Sequence, residues 1–168
     1  WILLLGHSTF LFAQKQFSEG TLQYQIQIVS NEAGKAAAPI ATATQQVYLK
    51  AMQSRTEMTS NLGTETTLFD QRQGKAVILK DYSGQKLMIT LTRSNWAQKN
   101  VVFHNLKFNT SNPENVQIGD YSCKTATATT ADGHQITVYY LPDYQLANVS
   151  YNNAFSLLPG IRSEEHTS

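Results

Sequence analysis

The sequence predicts a mainly β protein, a curved antiparallel sheet that forms an unclosed half-barrel with little helix. Two observations predict this fold class. Apolar and polar residues alternate through much of the chain, which places every second side chain on the same face of a strand. Glycine-containing turns separate these runs at intervals of about ten residues, a spacing that is typical of an antiparallel meander.

The first predicted strand shows the alternation most clearly, because Leu22, Tyr24, Ile26 and Ile28 alternate with glutamines. A helix would distribute the same residues around its circumference. Turns are predicted where glycine supplies the positive φ of a tight hairpin, at residues 61–63, 71–74, 82–84 and 132–133. Between them, the pattern predicts further strands at residues 46–51, 56–59, 66–69, 75–80, 86–92, 121–130 and 135–141.

Two stretches lack this alternation. Residues 31–44 are rich in Ala and Thr and contain Gly34 and Pro39, which predicts a long loop between the first two strands. Residues 93–104 are compatible with a short helix or with a crossover, and the sequence leaves that choice open.

The N-terminal residues 1–13 form an apolar run without charge, which resembles the core of a secretory signal peptide whose Met and basic start are missing. The run is too short for a membrane-spanning helix, which needs about 20 residues. We therefore expect residues 14–161 to form one exported β-rich domain, periplasmic or secreted, with no transmembrane span in the mature chain. The alternative is that residues 1–13 form a buried first strand or helix.

The C-terminal residues 162–168 read Arg-Ser-Glu-Glu-His-Thr-Ser. This stretch resembles the translation of a common sequencing-adapter oligonucleotide, so we expect it to be an artefact and the true C-terminus to be missing. The alternative is an ordinary polar tail.

Composition excludes several functional classes. The formal net charge is only +1, from 13 basic and 12 acidic residues, whereas a nucleic-acid-binding protein needs a clustered basic face. A single cysteine, Cys123, excludes an internal disulfide and a cysteine-based zinc site. Its position in a predicted strand indicates a small buried hydrophobic residue.

Candidate catalytic and metal-binding residues are few. His7 and His166 belong to the two terminal segments, which leaves His104 and His134 without a metal-ligand spacing. No serine lies in a nucleophile elbow. We predict no enzyme, and no catalytic, metal-binding or cofactor-binding residues; a hydrolase assembled from Asp and His by folding is the alternative. Turn chemistry explains the aspartates at strand ends, which are Asp70, Asp81, Asp132 and Asp143.

Several passages together resemble known exported proteins. They are residues 17–26, residues 119–126 with 136–140 (G-x-Y-x-C-K-x-A and T-V-Y-Y), and residues 155–160 (F-S-L-L-P-G). In this combination they resemble the GLPGLI family and the related domain-of-unknown-function family 4412, which are typical of Bacteroidetes envelope proteins. Residues 48–58 are similar to the K-G-x-x-x-R-x-E-M hairpin of these families, although Ala51 stands where they have Gly.

The resemblance has structural implications. These families are similar in pattern to the LolA/LolB-type lipoprotein carriers, which implies a half-barrel whose apolar concave face is covered by helices or loops. It also implies further C-terminal strands beyond residue 160. No catalytic residues are implied.

The leading functional hypothesis is a non-enzymatic cell-envelope protein that binds a lipid or lipoprotein acyl chain on the apolar concave face. The alternative for that face is a packed core without a groove. A second hypothesis is a protein–protein interaction module of an envelope or secretion assembly, which uses a sheet edge or residues 31–44. The residues predicted to line the groove are Tyr24, Ile26, Ile28, Val47, Leu49, Met58, Leu68, Ile78 and Ile89.

Overall fold

The computed structural model describes residues 14–30, 38–103, 106–131, 133 and 135–167, and within these ranges it leaves out the side chains of residues 27–30, 38–41, 102, 166 and 167. The predicted signal peptide, residues 1–13, lies outside the described residues, as do His104 and His134. The fold-class prediction is confirmed: the described chain is mainly β with little helix, its two larger sheets are antiparallel, and no described sheet closes into a barrel, which fits a curved, unclosed sheet.

Twelve strands and one α-helix are described in chain order. They are β1 Lys15–Phe17, β2 Glu19–Ser30, β3 Ala38–Lys50, β4 Gln53–Ser60, β5 Gly63–Asp70, β6 Lys75–Tyr82, β7 Gln85–Leu91, α1 Arg93–Lys99, β8 Asn115–Ile118, β9 Tyr121–Thr129, β10 Gln135–Leu141, β11 Tyr144–Leu146 and β12 Ile161–Thr167. Short 3-10 helices lie at Val101–Phe103, Val149–Tyr151 and Asn153–Phe155.

Strands β2 to β7 form a six-stranded antiparallel meander in which every strand pairs with its neighbour in sequence. The predicted alternation and turns are confirmed here. In the β6–β7 hairpin, Ser83 and Gly84 have φ values of 51° and 81°, the two positive angles of a type I′ turn. This turn suits the right-handed twist of the strands and sets the β6–β7 register.

The loop prediction for residues 31–44 is wrong in its second half, because β3 begins at Ala38 and pairs with β2 along its length. Small Ala and Thr side chains give little hydrophobic signal, but β2 supplies the backbone hydrogen bonds that this stretch needs. Residues 31–37 lie outside the described part. The sequence left a helix or a crossover open for residues 93–104, and the structure has the helix α1 there. The first turn of α1 is capped by a hydrogen bond from the Asn95 amide to Thr92 Oγ1 (3.3 Å).

The six-stranded sheet has one buried face, which we call the inner face. Residues opposite one another in antiparallel strands share a face, and the pairing places Val47, Ser54, Phe69 and Ala76 together on this one. All four are buried. The ring of Trp96 stacks on the Phe69 ring with 5.0 Å between centroids, so α1 covers this part of the inner face.

A second, four-stranded antiparallel sheet has the order β12-β10-β9-β8. Cys123 lies in β9 and is fully buried, which confirms the interpretation of this cysteine as a small core residue. Strand β12 contains residues 162–167 of the segment expected to be an artefact, and it pairs antiparallel with β10. The hydrophobic core of this part of the chain comprises Leu106, Ala126, Ala128, Ile136, Val138, Tyr140 and Leu158.

Two connections hold the sheets together. Strand β1 pairs in parallel with β11, which ties the start of β2 to the second half of the chain. The Tyr24 hydroxyl donates a hydrogen bond to the Arg162 carbonyl (3.1 Å), and the Arg162 guanidinium lies 4.3 Å from the Tyr24 ring centroid. Within the described residues, no helix has the length and apolar character needed to cross a membrane.

Candidate functional site

The predicted groove residues do not line one open surface. Val47, Leu49 and Ile78 lie in the buried core of the inner face. At the end of the sheet, Ile89 pairs with Ile78 on this face and is partly exposed. The half-buried members are Tyr24, Ile26 and Met58; Ile28 belongs to β2, with its side chain outside the described part.

The inner-face prediction is wrong for Leu68, which projects from the opposite face of the sheet. Leu68 stands opposite Arg55 and Val77, whereas its neighbour Phe69 stands opposite Ser54 and Ala76 on the inner face. The sequence pattern cannot separate the two, because adjacent apolar residues in a strand fit either parity.

On this opposite face, which we call the outer face, the structure has a pocket of about 560 Å³. This volume lies within the range of about 300 to 1,000 Å³ that is usual for small-molecule sites. The floor of the pocket is formed by β3 to β7 near the β3–β4 and β5–β6 turns. Its outward-facing side chains fall into two parallel rows across the strands: a mainly apolar row, called the apolar row although it includes Arg55 and Thr90, and a polar row. Four inner-face residues also border the pocket, namely Leu49, Ser54, Phe69 and Ala76.

The apolar row runs across five strands, and successive members are opposite one another in the strand register. It consists of Tyr48, Arg55, Leu68, Val77 and Thr90. Tyr48 and Leu68 are 38% and 40% exposed, so this row presents apolar surface to solvent. The Arg55 guanidinium lies over the Tyr48 ring at 5.9 Å from its centroid and also pairs with Glu57.

The polar row lies next to the apolar row, toward the two turns. It consists of Lys50, Gln53, Asp70 and Lys75, again opposite one another in register. Gln53 Nε2 donates to Asp70 Oδ2 (3.4 Å), and the Gln73 amide donates to Asp70 Oδ1 (3.0 Å).

The hydrogen bond from the Gln73 backbone, followed by that from the Gln53 side chain, lowers the pKa of Asp70 below its ordinary value of 3.8. Asp70 is therefore ionised at neutral pH. The pocket is lined by three basic residues, Lys50, Arg55 and Lys75, and by the acidic Asp70, so the net charge of its lining is positive.

A smaller cavity of about 280 Å³ adjoins the polar row. It shares Lys50, Gln53 and Asp70 with the larger pocket and adds Arg72 from the β5–β6 turn. Basic groups therefore surround the polar end of the site, while the other end is mainly apolar and includes Arg55. An amphipathic ligand with a negative head group matches both ends.

Other chemistry is sparse in the described part of the chain, where no three His, Cys, Asp or Glu side chains lie together as a metal site would require. Burial raises the pKa of Tyr151, and Tyr24 adds to the effect through its charge and a hydrogen bond. This raised pKa belongs to the contact between the two sheets, away from the outer-face pocket.

Comparison of the chain with family models, with curated proteins and with solved structures gave no match. The outer-face rows are therefore identified from geometry. Sequence reasoning missed them because the apolar row takes one residue from each of five strands and the polar row one from each of four. Only the strand register brings these residues together. One signal was present: the run Ala76-Val77-Ile78-Leu79 is apolar at both parities, as expected for a strand with apolar neighbours on both faces.

Proposed function

We propose that this protein is an exported, non-enzymatic protein of the cell envelope that binds an acyl chain with an anionic head group in the outer-face pocket. The observation that carries the proposal is the apolar row beside the polar row, with its two lysines, on one exposed face. The signal-peptide-like residues 1–13 and the resemblance to the GLPGLI family support export and an envelope role, and membership of that family is part of the proposal.

The apolar row supplies the hydrophobic part of the binding free energy. Leu68, Val77 and the ring of Tyr48 present partly exposed apolar surface that an acyl chain would cover. Each methylene removed from water contributes about 0.8 kcal/mol, so contact with several methylenes can offset the loss of ligand freedom on binding.

The polar row selects the head group. Lys50 and Lys75 stand at the two ends of this row, with Arg55 in the adjacent row and Arg72 in the neighbouring cavity. A carboxylate or phosphate placed there forms charge-assisted hydrogen bonds, which are stronger than neutral ones. Ionised Asp70 repels an anionic head group placed beside Gln53. The site therefore favours a compact head group near one of the two lysines, at either end of the row.

Two measurements test the proposal. Native mass spectrometry of the mature protein, purified from the periplasm without detergent, should show a stoichiometric adduct of lipid mass. Titration of the delipidated protein with a fluorescent fatty acid should show saturable binding at one site per chain. A bare protein mass together with no saturable binding would contradict the proposal.

A pair of matched variants places the ligand. Leu68 and Leu79 lie on the same face with nearly equal exposure, 40% and 39%, but only Leu68 lines the pocket. We expect Leu68→Glu to weaken fatty-acid binding at least tenfold, because a carboxylate replaces an apolar contact and repels the head group. Leu79→Glu should retain most of the affinity. Equal loss in both variants would contradict the assignment of the pocket.

A further inference from the structure

Strand β7 lies at one end of the six-stranded sheet and, among the described strands, pairs only with β6. An edge strand presents unpaired backbone groups, and proteins usually protect it with proline, a bulge, several charges or a covering element. Residues 85–91 contain no proline or glycine, one charged residue, Lys86, and no irregularity in the pairing with β6. Leu87, Met88 and Ile89 are exposed, Met88 to 73%.

The hairpin determines which backbone groups of β7 point away from the sheet. Tyr82 and Gln85 flank a two-residue type I′ turn, so this pair exchanges backbone hydrogen bonds across the hairpin. From Gln85 onward, every second residue of β7 exchanges backbone hydrogen bonds with β6. The residues between them point their backbone N–H and C=O away from β6, out of the edge of the sheet. The outward set on β7 is Lys86, Met88 and Thr90.

We propose that β7 pairs antiparallel with β7 of a second copy of this chain, about a two-fold axis that passes midway between the two Met88 residues. In this register Lys86 stands opposite Thr90 of the second copy, and Met88 stands opposite Met88. The outward residues then form three pairs that each exchange two backbone hydrogen bonds. Leu87 and Ile89 stand opposite one another across the axis, twice by symmetry.

The residue pattern of β7 favours a second copy over an unrelated strand, because the strand is complementary to itself. Apolar side chains meet on the inner-face side, and each Lys86 meets a threonine. A register centred on Lys86 would bring two lysines directly opposite each other, which is destabilising. Registers centred on Leu87 or Ile89 would leave fewer outward residues of β7 paired with outward residues of the second β7.

The proposed dimer goes beyond the proposed function and does not depend on it. A two-fold axis perpendicular to the sheet keeps the outer faces of both copies on the same side. Thr90 lines the outer-face pocket and also lies in the dimer contact. The two pockets would therefore open on one side of a continuous sheet, separated by the pair of β7 strands.

Sedimentation equilibrium of the full chain tests the dimer and its register. We expect wild-type protein to be a concentration-dependent dimer. Thr90→Lys places two lysines opposite each other at two symmetric positions, so the dimer dissociation constant should rise about tenfold. Adding Lys86→Gln to Thr90→Lys removes the like-charge pair without placing a carboxylate opposite Asp81, with which Lys86 forms an ion pair at 3.4 Å, so the dissociation constant should return close to the wild-type value.

Leu62→Lys is the control, because Leu62 is 69% exposed in the β4–β5 turn, away from β7. It should leave dimerisation unchanged. Hydrogen exchange gives a readout that needs no variant: the Met88 amide should exchange more slowly as wild-type concentration rises. A wild-type chain that stays monomeric, or a Met88 amide whose exchange is independent of concentration, would overturn the proposal. Failure of the double variant to recover dimerisation would overturn the register.

Discussion

Replacing one leucine on each face of the six-stranded sheet shows which face is the core. Leu49 in β3 projects from the inner face and is 4% exposed, whereas Leu68 in β5 projects from the outer face. Leu49→Ala removes a buried methine and two methyl groups, each worth about 0.8 kcal/mol, and leaves a cavity, so we expect a loss of about 3 kcal/mol. Leu68→Ala removes partly exposed atoms and leaves no enclosed cavity, so we expect about 1 kcal/mol.

The assay is urea unfolding of both variants and the wild type, followed by circular dichroism and analysed by linear extrapolation. Both substitutions replace Leu by Ala inside a strand, so the difference between them cancels most of the change in strand propensity. Equal losses, or a larger loss for Leu68→Ala, would refute the assignment of inner and outer faces and with it the location of the pocket.

Three further predictions follow from the same structure. Exchanging a fatty acid for the fatty alcohol of equal length should weaken binding to the wild type about tenfold or more. The Lys50→Gln/Lys75→Gln variant should bind the acid and the alcohol about equally. Titrations that show the same preference for the acid in both proteins would exclude the head-group site. The Cys123 thiol should react with a chromogenic thiol reagent only as the protein unfolds in urea, and rapid labelling of the native chain would contradict its burial. The lowered pKa of Asp70 stabilises the fold above the ordinary value of 3.8, and this contribution is lost as pH falls through the lower folded-state pKa. Asp70→Asn should therefore be less stable than wild type at neutral pH, with a difference that shrinks in acid; a difference independent of pH would contradict this.

Most of the meander could be predicted from sequence, because period-two alternation and glycine turns are local properties. The β2 alternation and the positive-φ turn at Gly84 are examples. The N-terminal half of β3 could not be predicted, since its Ala and Thr side chains give no periodic signal and its strand conformation depends on pairing with β2. The short strands β1 and β11 likewise depend on each other, across more than a hundred residues of sequence.

The face of each side chain was harder to predict than the strand itself. Leu68 and Phe69 are both large and apolar, so the sequence of β5 gives no reason to prefer one for the core. The partners decide: Phe69 meets Trp96 of α1, and Leu68 meets Arg55 and Val77 on the exposed side. The pocket combines side chains from several strands and so requires the full register.

The most direct test of the central claim is a methyl NMR titration of the delipidated protein with palmitate. Outer-face binding predicts saturable shifts of the Leu68 and Val77 methyl signals, with those of Val47 and Ile78 nearly unchanged. Large shifts at Val47 and Ile78 without shifts at Leu68 would place the ligand on the inner face and contradict the proposed site. No shift at any of the four residues would contradict the proposed acyl-chain binding itself.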